Sequence, residues 1–171
     1  RALLQKALQR TIKRIPQFGY RLRPGLFWFY LEDQDIMPQV EDDARNPMLP
    51  FNLAGSKRFM FRLRCHKKRV AMEVFHVLTD GYGATTFLLT LSAEYLYLKT
   101  GKRIPAEGMI LDTREAPRRE ERVDSFPRVA RELTQSRGEQ SAWQLKGTPI
   151  EAGFLRVVTS IMPTEKLLFL A

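Results

Sequence analysis

Arg69-Val70-Ala71-Met72-Glu73-Val74-Phe75-His76-Val77-Leu78, followed by Thr79-Asp80-Gly81-Tyr82-Gly83 and a run from Ala84 to Lys99, is the stretch that decides the fold. The first ten residues are β-rich: Val70, Met72, Val74 and His76 alternate onto one face, Ala71, Glu73, Phe75 and Val77 onto the other. Apolar residues on both faces predict a central strand that delivers His76 at its C-terminal end. After the glycines, Phe87, Leu88, Leu91, Tyr95 and Leu98 share one helical stripe, and Gly101 is placed to terminate it. Strand, glycine turn and helix is a geometry that often carries function.

Working outward, Lys57 to Arg64 is a second β-rich run, joined to the first by the basic turn Cys65-His66-Lys67-Lys68. Upstream, Glu32 to Gly55 is rich in Asp, Asn and Pro and reads as a loop. Before it, Tyr20–Arg23 and Leu26–Leu31 flank Pro24-Gly25, which predicts a β-hairpin with its aromatic side chains packed into the core. Leu3, Leu4, Ala7, Leu8, Ile12 and Ile15 recur at helical spacing ahead of Pro16 and predict an amphipathic helix. Downstream, residues 104–148 are charged and proline-bearing, with Arg118-Arg119-Glu120-Glu121-Arg122 in their middle, and are expected to form a mobile crossover with at most short helices. Phe154 to Met162 is a further strand candidate, and Thr164 can cap a helix running through Leu167 and Leu168. Residues 1–171 are thus expected to form one α/β unit, cut within secondary elements at both ends, with no internal repeat.

Composition narrows the chemistry. The chain has 171 residues, 44% hydrophobic and 27% charged, which suits a folded globular protein rather than a disordered one. Cys65 is the only cysteine, so an internal disulfide and cysteine-cluster zinc sites are excluded, no metal is expected, and a cytoplasmic location follows naturally. The longest apolar stretch, Thr85 to Leu98, is interrupted by Thr90, Ser92 and Glu94, so no membrane span is expected. Net charge is +9. Basic residues are dispersed among acids with no long single-sign block, which favours a solvated surface over a polyanion groove, and nucleic acid is disfavoured as a partner.

His76 and Asp80 are the candidate catalytic residues. A histidine acting as general base near neutrality presents one nitrogen to substrate while the other is held by a hydrogen bond, which a strand-end turn can supply. Asp80 has two possible roles: it orients His76 as in a Ser-His-Asp relay, or it holds the turn rigid through an arginine.

The hexapeptide His76-Val77-Leu78-Thr79-Asp80-Gly81 resembles the His-x-x-x-Asp-Gly motif of the chloramphenicol-acetyltransferase-like acyltransferases. With Ile15 to Leu22, Phe27 to Leu31 and His76 to Leu98, the likeness covers most of the chain and is greatest to bacterial alcohol-acetyltransferase-like and condensation-domain-like proteins. The resemblance implies a mixed, mostly antiparallel sheet flanked by helices, forming the N-terminal lobe of a two-lobed enzyme with a tunnel between lobes. It implies that His76 deprotonates a small alcohol or amine acceptor for attack on a thioester. Asp80 would form a structural ion pair, with Arg62 or Arg64 as candidate partners, and Gly81 would permit the tight turn. Acyl-CoA would be a co-substrate, with no tightly bound cofactor, and a C-terminal lobe or neighbouring subunit would complete the site. Phe75 stands where condensation domains carry a second histidine, which disfavours peptide synthesis; no cofactor-binding or oxyanion residue can be assigned.

Two other features have competing readings. Cys65-His66 suggests a thiol nucleophile, but adjacent residues of a tight turn seldom face each other. Trp28 among Phe27, Phe29 and Tyr30, near Arg21 and Arg23, suggests base stacking, for which core packing is the simpler account. The alternative to acyl transfer is therefore a non-catalytic binding module, either a degenerate acyltransferase or a basic nucleic-acid binder.

Overall fold

The computed structural model describes residues 1–43, 51, 59–122, 161 and 163. The chain divides into two units, Arg1–Arg131 and Glu132–Ala171, and every element below belongs to the first. The fold is mixed α and β. Helix α1 spans Ala2–Arg14 and buries Leu4, Ala7, Leu8 and Ile12 of the predicted stripe, with Ile15 buried just beyond it and Leu3 left exposed. Pro16 ends it by excluding Ile15 from helical backbone, here φ −126° and ψ 73°. A single 3₁₀ turn over Pro16–Gly19 then drives Phe18 inward.

Helix α2 spans Gly81–Thr100 and stops at Gly101, whose φ of 75° is the left-handed conformation glycine adopts without penalty. It lies against α1. The core is centred on three rings: Phe18 stacks on Phe87 of α2 with centroids 4.0 Å apart, and Phe61 meets each edge-on at 5.5 Å. Leu8, Leu63, Leu91 and Val40 close around them.

Among the described residues, strands β1 (Arg21–Pro24) and β2 (Phe29–Glu32) form a two-stranded antiparallel hairpin. A second sheet has the order β3 (Glu41–Asp42), β4 (Phe61–His66), β5 (Arg69–Val74), with β3 parallel and β5 antiparallel to β4. The sheet positions correct one expectation. Among the described residues β5, not β4, is the edge, and its Val70 is exposed, whereas Phe61 and Leu63 of β4 are buried. A short strand inside the predicted loop pairs with the free side of β4, and Arg64–Glu41 and Arg69–Asp43 bridge that strand and its C-terminal neighbour to the hairpin.

The aromatic hairpin corrects another. Leu26 is 95% exposed, Phe27 87%, Trp28 71% and Phe29 68%, so these rings do not pack into the core.

Among the described residues the charged crossover is irregular from Lys102 to Arg118, with one short helix, α3, at Arg119–Arg122; its remainder, 123–148, lies outside them. Buried polar groups tie it down. Glu94, on α2, accepts from Arg10 of α1 at 2.6 Å and from the Thr113 hydroxyl at 2.6 Å, and the Thr90 hydroxyl accepts the Leu111 N–H at 3.0 Å. Arg14, buried at the end of α1, meets both carboxylate oxygens of Glu121 at 2.6 and 2.9 Å. The strand predicted over Phe154–Met162 and the helix after Thr164 lie outside the described residues, apart from Ile161 and Pro163.

Truncating Phe87 removes one ring of three from a packed core, so Phe87→Ala is expected to cost about 3–5 kcal/mol in urea denaturation. Exposed Leu26→Ala is expected to stay within about 0.5 kcal/mol of the parent. The Arg14–Glu121 pair gives a pH dependence. Hydrogen bonds from Arg14 hold the Glu121 carboxyl below its ordinary value of 4.5, so its stabilisation is present above that value and is lost as pH falls through the lower folded-state value. The stability difference between the parent and Glu121→Gln is therefore expected to be full at neutral pH and to shrink in acid, as followed by denaturation at stepped pH.

Candidate active site

The β5–α2 junction is built residue by residue. The ladder extends one step past β5, with the Phe75 N–H donating to Met60 O at 2.7 Å. The chain then turns through His76–Leu78, closed by the Leu78 N–H on Phe75 O at 2.9 Å. His76 therefore sits in the turn, two residues beyond the strand, and its side chain is exposed. Among the described residues no hydrogen bond fixes either imidazole nitrogen.

Asp80 is the N-cap of α2. Its backbone is extended, its Oδ1 accepts the Gly83 N–H at 2.8 Å, and its carbonyl accepts the Ala84 N–H at 3.0 Å. A carboxylate there also faces the positive end of the helix dipole. Of the two roles read from sequence, holding the turn matches this geometry, but the means differ: the aspartate clamps through backbone N–H. The arginines expected to pair with it are found on Glu73, Arg62 at 3.1 Å and Arg64 at 2.5 Å.

The glycine requirement also shifts. Gly81 is the first helical residue and a Cβ there would meet nothing within 4 Å, whereas a Cβ on Gly83 would lie 2.0 Å from Thr79 Oγ1. The close approach that only glycine allows is thus at Gly83, two residues beyond the motif.

Among the described residues two cavities border α2. One of about 220 Å³ lies beside its first turn, with Arg14, Gln17, Tyr82, Gly83, Thr86 and Glu121 in its wall. The other, about 270 Å³, lies toward the far end and includes Glu94, Tyr97, Arg103 and Arg114. His76 lines neither. The described residues leave its side chain exposed. In sequence Glu94 reads only as an interruption of an apolar run; the signal for its burial was its spacing, four after Thr90 and seven after Phe87 on the same buried stripe. Cys65 is half-buried and His66 exposed at the end of β4. No cluster of three or more His, Cys, Asp or Glu suited to a metal occurs among the described residues, and none of their helices is long and apolar enough to cross a membrane.

Compared with protein-family models, curated proteins and solved structures, the chain matches none.

The cap has a measurable weight. Asp80→Ala is expected to lower stability by about 1 kcal/mol, and Asp80→Asn by much less because asparagine also caps. Gly83→Ala is expected to destabilise through contact with Thr79 Oγ1, and Thr79→Ala to recover part of that loss in the double variant, both read from urea midpoints.

Proposed function

We propose that this chain is the N-terminal lobe of an acyltransferase of the chloramphenicol-acetyltransferase-like kind, moving an acyl group from a thioester to a hydroxyl or amine. One observation carries the reading. The His-x-x-x-Asp-Gly stretch falls on a strand–turn–helix junction in which the aspartate is committed to capping α2 and the histidine stands open to solvent. In that arrangement Asp80 fixes the turn, and the imidazole is free to meet a ligand.

The chemistry assigned to His76 is general base catalysis. The imidazole takes the proton from the acceptor hydroxyl or amine as its oxygen or nitrogen attacks the thioester carbonyl; the tetrahedral intermediate collapses, the carbon–sulfur bond breaks, and the imidazolium returns the proton to the departing thiolate. Acyl-CoA is the donor of choice because a +9 chain attracts its phosphates over long range. The open face of His76 fits a site whose second wall comes from another lobe or a neighbouring subunit. A cytoplasmic location belongs to this reading, on the strength of the lone cysteine.

The test is acceptor-dependent release of free CoA from acetyl-CoA, followed with a thiol reagent. His76→Ala is expected to lower the rate by about 10²–10⁴-fold, the usual weight of a general base. Activity retained in that variant would falsify the reading.

A further inference from the structure

The β1–β2 hairpin is amphipathic along its length rather than across its faces. Its turn is closed by the Gly25 N–H on Trp28 O at 2.6 Å, and Gly25 admits no side chain because a Cβ would lie 2.8 Å from that oxygen. The tip presents Leu26, Phe27, Trp28 and Phe29, four consecutive residues with the most exposed large apolar side chains of the hairpin. Tyr30 and Leu31 follow, both 44% exposed. At the base, Glu32 accepts from Arg21 at 2.5 Å and lies 3.3 Å from Arg23. Exposure of apolar side chains thus falls steadily from tip to base, and charge appears only at the base.

Successive residues of a strand point to opposite faces, so Phe29 and Leu31 lie on one side of β2 and Tyr30 on the other, all exposed. One flat protein surface covers only one of those faces. Stacked bases would be accompanied by free cations beside the rings, but Arg21 and Arg23 are both engaged by Glu32. An apolar medium that surrounds a protruding tip satisfies both faces at once.

The charge distribution agrees. Arg1–Arg131 holds 24 of the 28 Lys and Arg and 15 of the 19 Asp and Glu, so the whole +9 resides in the unit that carries the hairpin. Long-range attraction to an anionic surface acts on that unit, although Asp33 and Asp35 beyond β2 reduce it locally. Dimensions fit as well. At about 3.3 Å per residue, Phe29 lies roughly 10 Å from Glu32, which is the depth to which interfacial elements bury.

We propose that the β1–β2 hairpin docks this protein onto an anionic lipid bilayer, with Leu26 to Phe29 inserted into the interface and Arg21, Arg23 and Glu32 at headgroup level. Trp28 and Tyr30 would occupy the belt where aromatic residues gather. This is peripheral attachment by a loop and is independent of the acyl-transfer reading.

The experiment is flotation of the 171-residue chain with phosphatidylcholine vesicles, with and without phosphatidylglycerol. The chain is expected to float with the phosphatidylglycerol vesicles, and its tryptophan emission to shift to the blue in a Trp143→Phe background that leaves Trp28 as the reporter. Phe27→Ser with Trp28→Ser is expected to cut partitioning by about tenfold or more, because inserted apolar area sets interfacial affinity. Raised salt is expected to weaken association without abolishing it. Both substituted side chains are exposed, so an unchanged melting curve will show that the variant is folded. Failure to float at low salt, or equal flotation of the folded variant, overturns the proposal. So does a dimer or an oligonucleotide complex that the double substitution abolishes while vesicle binding persists.

Discussion

The contact of Phe18, Phe61 and Phe87 is the constraint on which the described unit depends. These rings come from the turn after α1, from β4 and from the second turn of α2, three segments far apart in sequence. Each buried phenylalanine contributes about 1.5–3 kcal/mol by leaving water, and each favourable ring pair about 0.5–1.5 kcal/mol beyond that. Because Phe87 lies six residues into α2, fixing its ring fixes the start of the helix. Phe61 fixes β4 and, through the ladder, the end of β5. The turn holding His76 spans these two points, so an apolar contact sets the position of a polar side chain that it never touches.

Around that centre the structure uses buried polar groups as ties. Glu94 links α1, α2 and the crossover through Arg10 and Thr113, and Arg14 links α1 to α3 through Glu121. A buried carboxylate is tolerable because its partners replace the water it gave up, and breaking one tie leaves a charge uncompensated. These pairs specify where the crossover lies rather than adding greatly to net stability. They explain why a segment with the composition of a free loop is held against the helices over residues 111–121.

The two features with functional weight differ in how they relate to the core. The His76 turn is an extension of it, held by the last ladder bond of β5 and by the Asp80 cap. The β1–β2 hairpin is a projection from it, internally paired and apolar where it meets solvent. A two-stranded ribbon alone is marginal in water. Lipid contact at its tip is therefore both a binding mode and a source of order for the ribbon.

Local periodicity and local punctuation determined a good part of this fold in the sequence itself. The stripe of α1 and its stop at Pro16, the Cys65–Lys68 turn (tightened to Lys67-Lys68 because Cys65 and His66 pair in β4), and the run of α2 to Gly101 all follow from contacts within a few residues, where helix spacing, proline geometry and glycine φ act directly. The motif itself was legible, and its aspartate was narrowed to clamp or relay. What tertiary structure alone decided was everything that depends on partners distant in sequence. Among the described strands it put β4 between β3 and β5, because Glu41–Asp42 pairs with β4. It gave Arg62 and Arg64 to Glu73 and the Asp80 carboxylate to the Gly83 N–H. It buried Glu94 and Arg14 while exposing Phe27 and Trp28, against the ordinary ranking of side chains. The physical reason is that alternation and spacing state which side chains share a face, whereas burial depends on what the rest of the chain brings against that face.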